Sequence, residues 1–222
     1  MFVRLACLAA VAGMGLRAES LNDILARMDQ SARTFRTFSA KLKRTEYTQV
    51  LHSSDVTEGA QRVLKLHGQP VTILEFFGQN PQTIRLSGRT AEVYNPKAKL
   101  VEVWDAGKYA KAANQMLLLG FGTSGTELRK DYEVTLGGTE NIGATRTTRI
   151  ELVPKDRDLK KQVEKIEMWI PEGESTPVQV KVSRTSKDYE LASYSDVKMN
   201  PALPESDFDL KVPADVKRVQ RK

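Results

Sequence analysis

The sequence predicts an α+β chain that is mostly antiparallel β-structure, and three observations carry the expectation. Residues 71–105 hold four short runs in which apolar and polar residues alternate, separated by Gly78-Gln79-Asn80-Pro81, Ser87-Gly88 and Asn95-Pro96. Alternation with period two, interrupted by turn residues, is the pattern of an antiparallel meander with one apolar face. Further alternating runs fill the C-terminal half. Only two stretches, 21–35 and 107–120, repeat their apolar residues at helical spacing. The functional question is what covers the apolar face of the strands.

Residues 1–18 are expected to be a secretory signal. Arg4 supplies the positive start, 5–16 is an apolar run too short to span a bilayer, and Leu16-Arg17-Ala18 offers a small residue for cleavage. Cys7, the only cysteine, lies in that segment with six residues before it, too few for a lipoprotein acceptor. Residues 19–222 then form one domain with no thiol, held by its own core rather than by disulfides. The 40% hydrophobic and 28% charged residues of the full sequence are those of a globular protein. Without Arg4 and Arg17 the 34 basic residues become 32, against 28 acidic ones, a net charge of +4. That balance mildly favours anionic surfaces.

Ser20-Leu21-Asn22-Asp23 starts a helix over 21–35, with Leu21, Ile24, Leu25, Met28, Ala32 and Phe35 on one face. Period two then predicts a strand over 37–50, a polar turn at Ser53-Ser54-Asp55 and a strand through Leu64 and Leu66 before the meander. The second helix carries Tyr109, Ala112, Ala113, Met116 and Leu117, and Leu118, Leu119 and Phe121 make its end apolar nearly all round. Strands follow at 132–136, 147–153, 163–170, 178–184 and 189–197, with hairpin loops at Gly137-Gly138 and Gly173 and a charged loop over 154–162.

Ten or eleven strands about 4.8 Å apart make a sheet roughly 50 Å wide, which must curl or split. A helix about 10 Å across covers roughly two strands, so two helices cannot shield the whole apolar face. The sheet must close into a sandwich or curl into an incomplete barrel with helices plugging its mouth. The second arrangement leaves apolar volume over and is a container for something greasy.

Few motifs compete with that reading. Gly120-Phe121-Gly122-Thr123-Ser124-Gly125 matches the dinucleotide-binding spacing, but it follows a helical run and precedes strand-like sequence, the reverse of the required context. It reads as a glycine hinge. His52 and His67 have no metal-ligand spacing, no G-x-S-x-G elbow is present, and Asp156 and Asp158 sit in the charged loop. The basic tail Lys217, Arg218, Arg221 and Lys222 is too short for a nucleic-acid surface. The expectation is a protein that is not an enzyme and needs no cofactor, metal or nucleic acid. Residues 117–121 are the sharpest functional candidate, because Gly107, Gly120 and Gly122 on either side would let the segment move.

Several motifs resemble one family. Phe38-Ser39-Ala40-Lys41-Leu42 after the opening helix, Gly88 followed by Tyr94-Asn95-Pro96, Ser193-Tyr194-Ser195-Asp196-Val197-Lys198-Met199-Asn200, Phe208-Asp209-Leu210 and Val212-Pro213 are similar to the LolA-like periplasmic carriers of outer-membrane lipoproteins. The likeness is diffuse and runs from Leu21 to Val219. It implies an incomplete, half-open antiparallel barrel with a helical lid over a hydrophobic cavity, a periplasmic location, and a monomer that carries acylated lipoprotein or another lipid. An inner-membrane releasing transporter and an outer-membrane acceptor are the partners it implies. The expected cavity lining is Leu74, Phe76, Ile84, Leu86, Val93, Val101, Val103, Ile150, Leu152, Ile166, Met168 and Ile170. The expected lid is Leu21, Ile24, Leu25, Met28, Tyr109, Met116, Leu117, Leu118, Leu119 and Phe121. Family carriers place an arginine shortly before the meander to hold the lid closed, whereas here Lys65 and His67 are the only basic residues between Val63 and Ile84. That latch role is not transferred.

Overall fold

The computed structural model describes residues 19–66, 69–105, 107 and 118–221. The expected signal with Cys7, as well as His67, Tyr109, Ala112, Ala113, Met116 and Leu117, lie outside these residues. Helix α1 (Leu21–Thr34) opens on a capping box. The Ser20 hydroxyl accepts from the Asp23 amide at 3.2 Å, and the Asp23 carboxylate accepts from the Ser20 amide. The helix stops where Phe35 becomes extended.

The strands are β1 (Thr37–Thr48), β2 (Ser53–Leu66), β3 (Gln69–Phe76), β4 (Gln82–Ser87), β5 (Thr90–Asn95) and β6 (Leu100–Asp105). After helix α2 (Gly125–Asp131) come β7 (Tyr132–Ile142), β8 (Thr145–Pro154), the single turn α3 (Arg157–Lys160), β9 (Val163–Pro171), β10 (Gln179–Arg184) and β11 (Tyr189–Met199). A 3-10 turn (Glu205–Phe208) and β12 (Lys217–Arg221) finish the chain. All twelve strands belong to one sheet, in the order β12-β6-β5-β4-β3-β2-β1-β11-β10-β9-β8-β7. Every neighbouring pair is antiparallel except β12 and β6.

The sheet is open, with β12 and β7 as its edges, and it curls. Leu86 of β4 and Val182 of β10 line one cleft, although five strand spacings, about 24 Å if flat, separate their strands. This is an incomplete barrel. On its concave side α1 and α2 pack against β7–β10, where Ile24, Met28, Leu128, Ile150, Leu152, Ile166, Met168 and Ile170 are all at most 1% exposed. Each such side chain is worth about 1.5–3 kcal/mol of burial. The convex side is held differently. Over β8 and β9, Arg149 and Lys165 flank Glu167 at 3.3 and 3.0 Å. Over β3, the C-terminal segment packs Phe208 on Val71 and Ile73, and the Phe208 carbonyl accepts from Arg85 Nε at 2.7 Å.

Four sequence expectations shift. Among the described residues there are twelve strands rather than ten or eleven, because β12 pairs through its backbone with β6 and has only Val219 as an apolar residue. Ser53-Ser54-Asp55 is strand, opposite Thr48, Tyr47 and Glu46. The turn lies at 49–52, where His52 takes φ +48. Gly137-Gly138 is a bulge inside β7 rather than a loop: the register slips between Leu136 and Gly138, and Gly138 has φ +104. The glycine motif is followed not directly by strand but by α2 at 125–131, started by a second capping box between Ser124 and Glu127.

Two substitutions test this packing. A methyl group on Gly59 would come 2.2 Å from the Glu75 carbonyl oxygen of the neighbouring strand. Gly59→Ala should therefore cost about 2 kcal/mol, as overpacking does, read from the urea midpoint. An unchanged midpoint would show that β2 and β3 part there freely. Met28→Ala should cost about 2–5 kcal/mol by the same measurement, since α1 seals the concave core.

Candidate functional site

Residues directly opposite in an antiparallel ladder share a face, so the pairing decides which side chains look inward. Leu42 faces Tyr194 and Gly59, Gln61 faces Leu74, Leu74 faces Ile84, and Ile84 faces Val93. On β11 and β10, Ala192 faces Val180, and Glu190 faces Val182. These inward positions enclose a cleft of about 360 Å³, lined by Leu42, Arg44, Gln61, Leu74, Phe76, Ile84, Leu86, Val180, Val182, Arg184, Glu190, Ala192 and Tyr194.

Four of the expected cavity residues, Leu74, Phe76, Ile84 and Leu86, meet in this cleft. Val93 shares their face through its pairing with Ile84 but is not among the lining residues. Val101 and Val103 require a correction. Val93 pairs with Glu102, so Val101 and Val103 pair with Tyr94 and Glu92 on the convex face. Ile150, Leu152, Ile166, Met168 and Ile170 do look inward, but α1 fills the space before them and they are fully buried core. The lid expectation has Ile24, Leu25 and Met28 buried, with Leu21 packed at the margin. Leu119 and Phe121 are 2% and 0% exposed, and Leu118 packs against the Phe38 cluster. Tyr109, Met116 and Leu117 lie outside the described residues.

One end of the cleft is aromatic. The Phe121 ring lies 4.1 Å from that of Phe38 and 4.7 Å from that of Tyr194, and burial pushes the Tyr194 hydroxyl far above its ordinary pKa. Around Phe121 the chain is keyed in place, not hinged. Gly120 and Gly122 have φ +82 and +87, and a methyl group there would strike Pro177 at 2.3 Å or Phe35 at 2.5 Å. The glycines permit close approach, which corrects the reading of them as a free hinge.

The other end is charged. Along β1 the inward residues run Phe38, Ala40, Leu42, Arg44. Arg44 places its guanidinium 4.1 Å from the centre of the Phe76 ring and its Nη2 3.1 Å from Glu46. Its Nε is buried with no hydrogen-bond partner among the described residues. Beside it, burial raises the pKa of the Glu190 carboxyl, opposed by the charges of Arg44 and Arg184 and reinforced by Glu46. Sequence reading missed this end and the whole β1–β10–β11 wall. Local alternation marks Leu42, Val180 and Val182 as one-sided, but nothing local pairs β1 with β11, some 150 residues away. Among the described residues no cluster of His, Cys, Asp or Glu is placed to hold a metal, and no helix is long and apolar enough to cross a membrane.

Solved structures share this fold. An uncharacterised conserved protein of Thermus thermophilus superposes with a TM-score of 0.55 at 12% identity, covering 91% of this chain and 100% of the other. MucB superposes at 0.53 with 11% identity over 86% of this chain. Pseudomonas aeruginosa MucB bound to MucA does so at 0.51 with 14% identity over 89%. This chain spans 62% of MucB's length in both. A looser likeness, 0.45 at 17% identity over 87% of this chain and 99% of the other, is to a LolA superfamily protein, NE2245 of Nitrosomonas europaea. No family model matches the sequence, and no curated protein matches it either. The shared property is the fold.

The charged end yields a pH test. Because burial favours the neutral acid, Glu190 contributes stability below the ordinary glutamate value of 4.5 and loses it as pH rises through its raised value. Glu190→Gln should raise the melting temperature near neutral pH, and the gain should vanish on acidification below 4.5. A variant that melts lower than its parent at neutral pH would show the arginines outweighing burial.

Proposed function

We propose that this chain is a soluble periplasmic carrier that holds the acyl chains of lipoproteins and moves them from the inner to the outer membrane, without catalysing a reaction. The observation that carries this reading is the apolar cleft on the concave face, adjoining a core filled by residues of α1 and 118–121 rather than by the sheet itself. The sequence motifs similar to LolA-like carriers support it, and so does the fold shared with MucB.

Burial of acyl chain supplies about 0.8 kcal/mol per CH₂. The cleft has room for roughly a dozen water-sized groups of about 30 Å³ each, which is one chain or part of one. Cargo with several chains would have to displace α1 and the 118–121 segment from Ile150, Leu152, Ile166, Met168 and Ile170. Displacing those buried side chains offsets much of the gain, which keeps binding reversible and lets cargo pass to a tighter acceptor. The inner-membrane transporter and outer-membrane acceptor belong to this reading. The small volume of the cleft also favours a second one, a carrier or sensor of a single-chain phospholipid or glycolipid on the same fold.

Mass spectrometry of lipid extracted from the purified protein separates the two: triacylated protein supports the first reading, free lipid the second, and an empty protein neither. Leu118→Glu, which sets a charge against the Phe38–Phe121 cluster, should abolish release of lipoprotein from inner-membrane vesicles while the circular dichroism spectrum stays native. Unchanged release removes the lid from the mechanism.

A further inference from the structure

We propose that the ligand of the cleft carries an acid group on its head, a carboxylate or a phosphate ester, and that Arg44 is the residue that reads it. The inference rests on the lipid-binding reading above and adds the chemistry of the headgroup. The cleft is amphipathic along its length. At the aromatic end the lining residue is Tyr194, whose ring meets the buried Phe38 and Phe121 edge-on, and at the charged end it is Arg44. Between the aromatic end and the charged end, the walls are Leu42, Leu74, Phe76, Ile84, Val180 and Val182. A tail lying on that wall brings its head to Arg44, Arg184 and Glu190, which all border the cleft.

Arg44 is already shaped to receive an acid. Phe76 supports one face of its guanidinium at 4.1 Å, and Glu46 engages only Nη2. Nε is buried and makes no hydrogen bond among the described residues. A buried N–H without an acceptor is costly, and a carboxylate or phosphate offers the pair of acceptor oxygens that the planar guanidinium fork fits. A neutral head such as a glycerol ester leaves that cost in place. Glu46 is the direct competitor, at Nη2, and Glu190 adds a nearby negative charge felt by Arg44 and Arg184, weakened by burial, which favours its protonated form. An incoming acid on a mobile tail takes its place beside Arg44.

The test is a calorimetric titration of the delipidated full chain with three probes of one tail: palmitate, palmitoyl lysophosphatidic acid and monopalmitoylglycerol. At least one acid should bind about tenfold or more tightly than the neutral glycerol ester. The preferred acid tells carboxylate from phosphate. In Arg44→Met the acid-to-neutral ratio should fall to near one, and Arg44→Lys, which keeps charge without the fork, should restore it in part. Glu190→Gln, which leaves Arg44 in place, should raise the ratio and serves if the arginine variants do not fold. Equal affinity for acid and neutral probes in the parent protein, or a ratio unmoved by these substitutions, overturns the inference while the lipid-binding reading stands. Failure of all three probes to bind overturns both.

Discussion

From β7 across to β4, each strand turns apolar side chains toward the same side of one curled sheet, and that side has to be kept from water. The cover is uneven. On β7–β10 the helices α1 and α2 and the residues around Leu119 complete a fully buried core. On β1–β4 and β10–β11 the facing walls enclose open apolar volume. A helix shields about two strands, so among the described residues the boundary between packed core and cleft falls where the helices end. Side chains of identical character, Ile166 in one zone and Ile84 in the other, acquire different roles from that boundary alone.

The convex face shows why the cleft is confined to the inside. Over β8 and β9 it carries Arg149, Glu151, Lys165 and Glu167, which pair with one another. These pairs are part-buried, Glu167 almost fully, and they cover that face with charged side chains. Over β3 the convex face is apolar, with Val71 and Ile73, and the C-terminal segment covers it through Phe208. Both devices reduce the apolar area of the convex face, while on the concave face the cleft keeps apolar walls around open space.

In the proposed carrier the same geometry would link stability to ligand exchange. Residues of α1 fill the concave side over β7–β10, and Phe121 packs its ring on Phe38 and on Tyr194, which lines the cleft. Opening the cleft further means unpacking part of the core, a cost set by the same burial that stabilises the empty protein. At the opposite end Arg44, Arg184 and Glu190 interrupt the apolar wall, and the Arg44 Nε there has no hydrogen-bond partner among the described residues.

Much of this is legible without coordinates, and the division has a physical basis. Strand alternation, the capping residue Ser20 and the turns at Gly78, Gly88 and Asn95 are properties of neighbours in sequence, so the α+β class, the meander and the helix over 21–34 follow from the residues themselves. The second capping box, Ser124 to Glu127, is equally local, but the glycine spacing around it masks the signal. What the tertiary structure alone decided is which apolar face looks inward and which inward residues stay uncovered. That Glu102 rather than Val101 shares the concave face with Val93 follows from a register set through β4 and β5, and Tyr194 reaches Leu42 because two strands some 150 residues apart pair. Register and long-range pairing are settled by the whole sheet at once, and no window of sequence contains them.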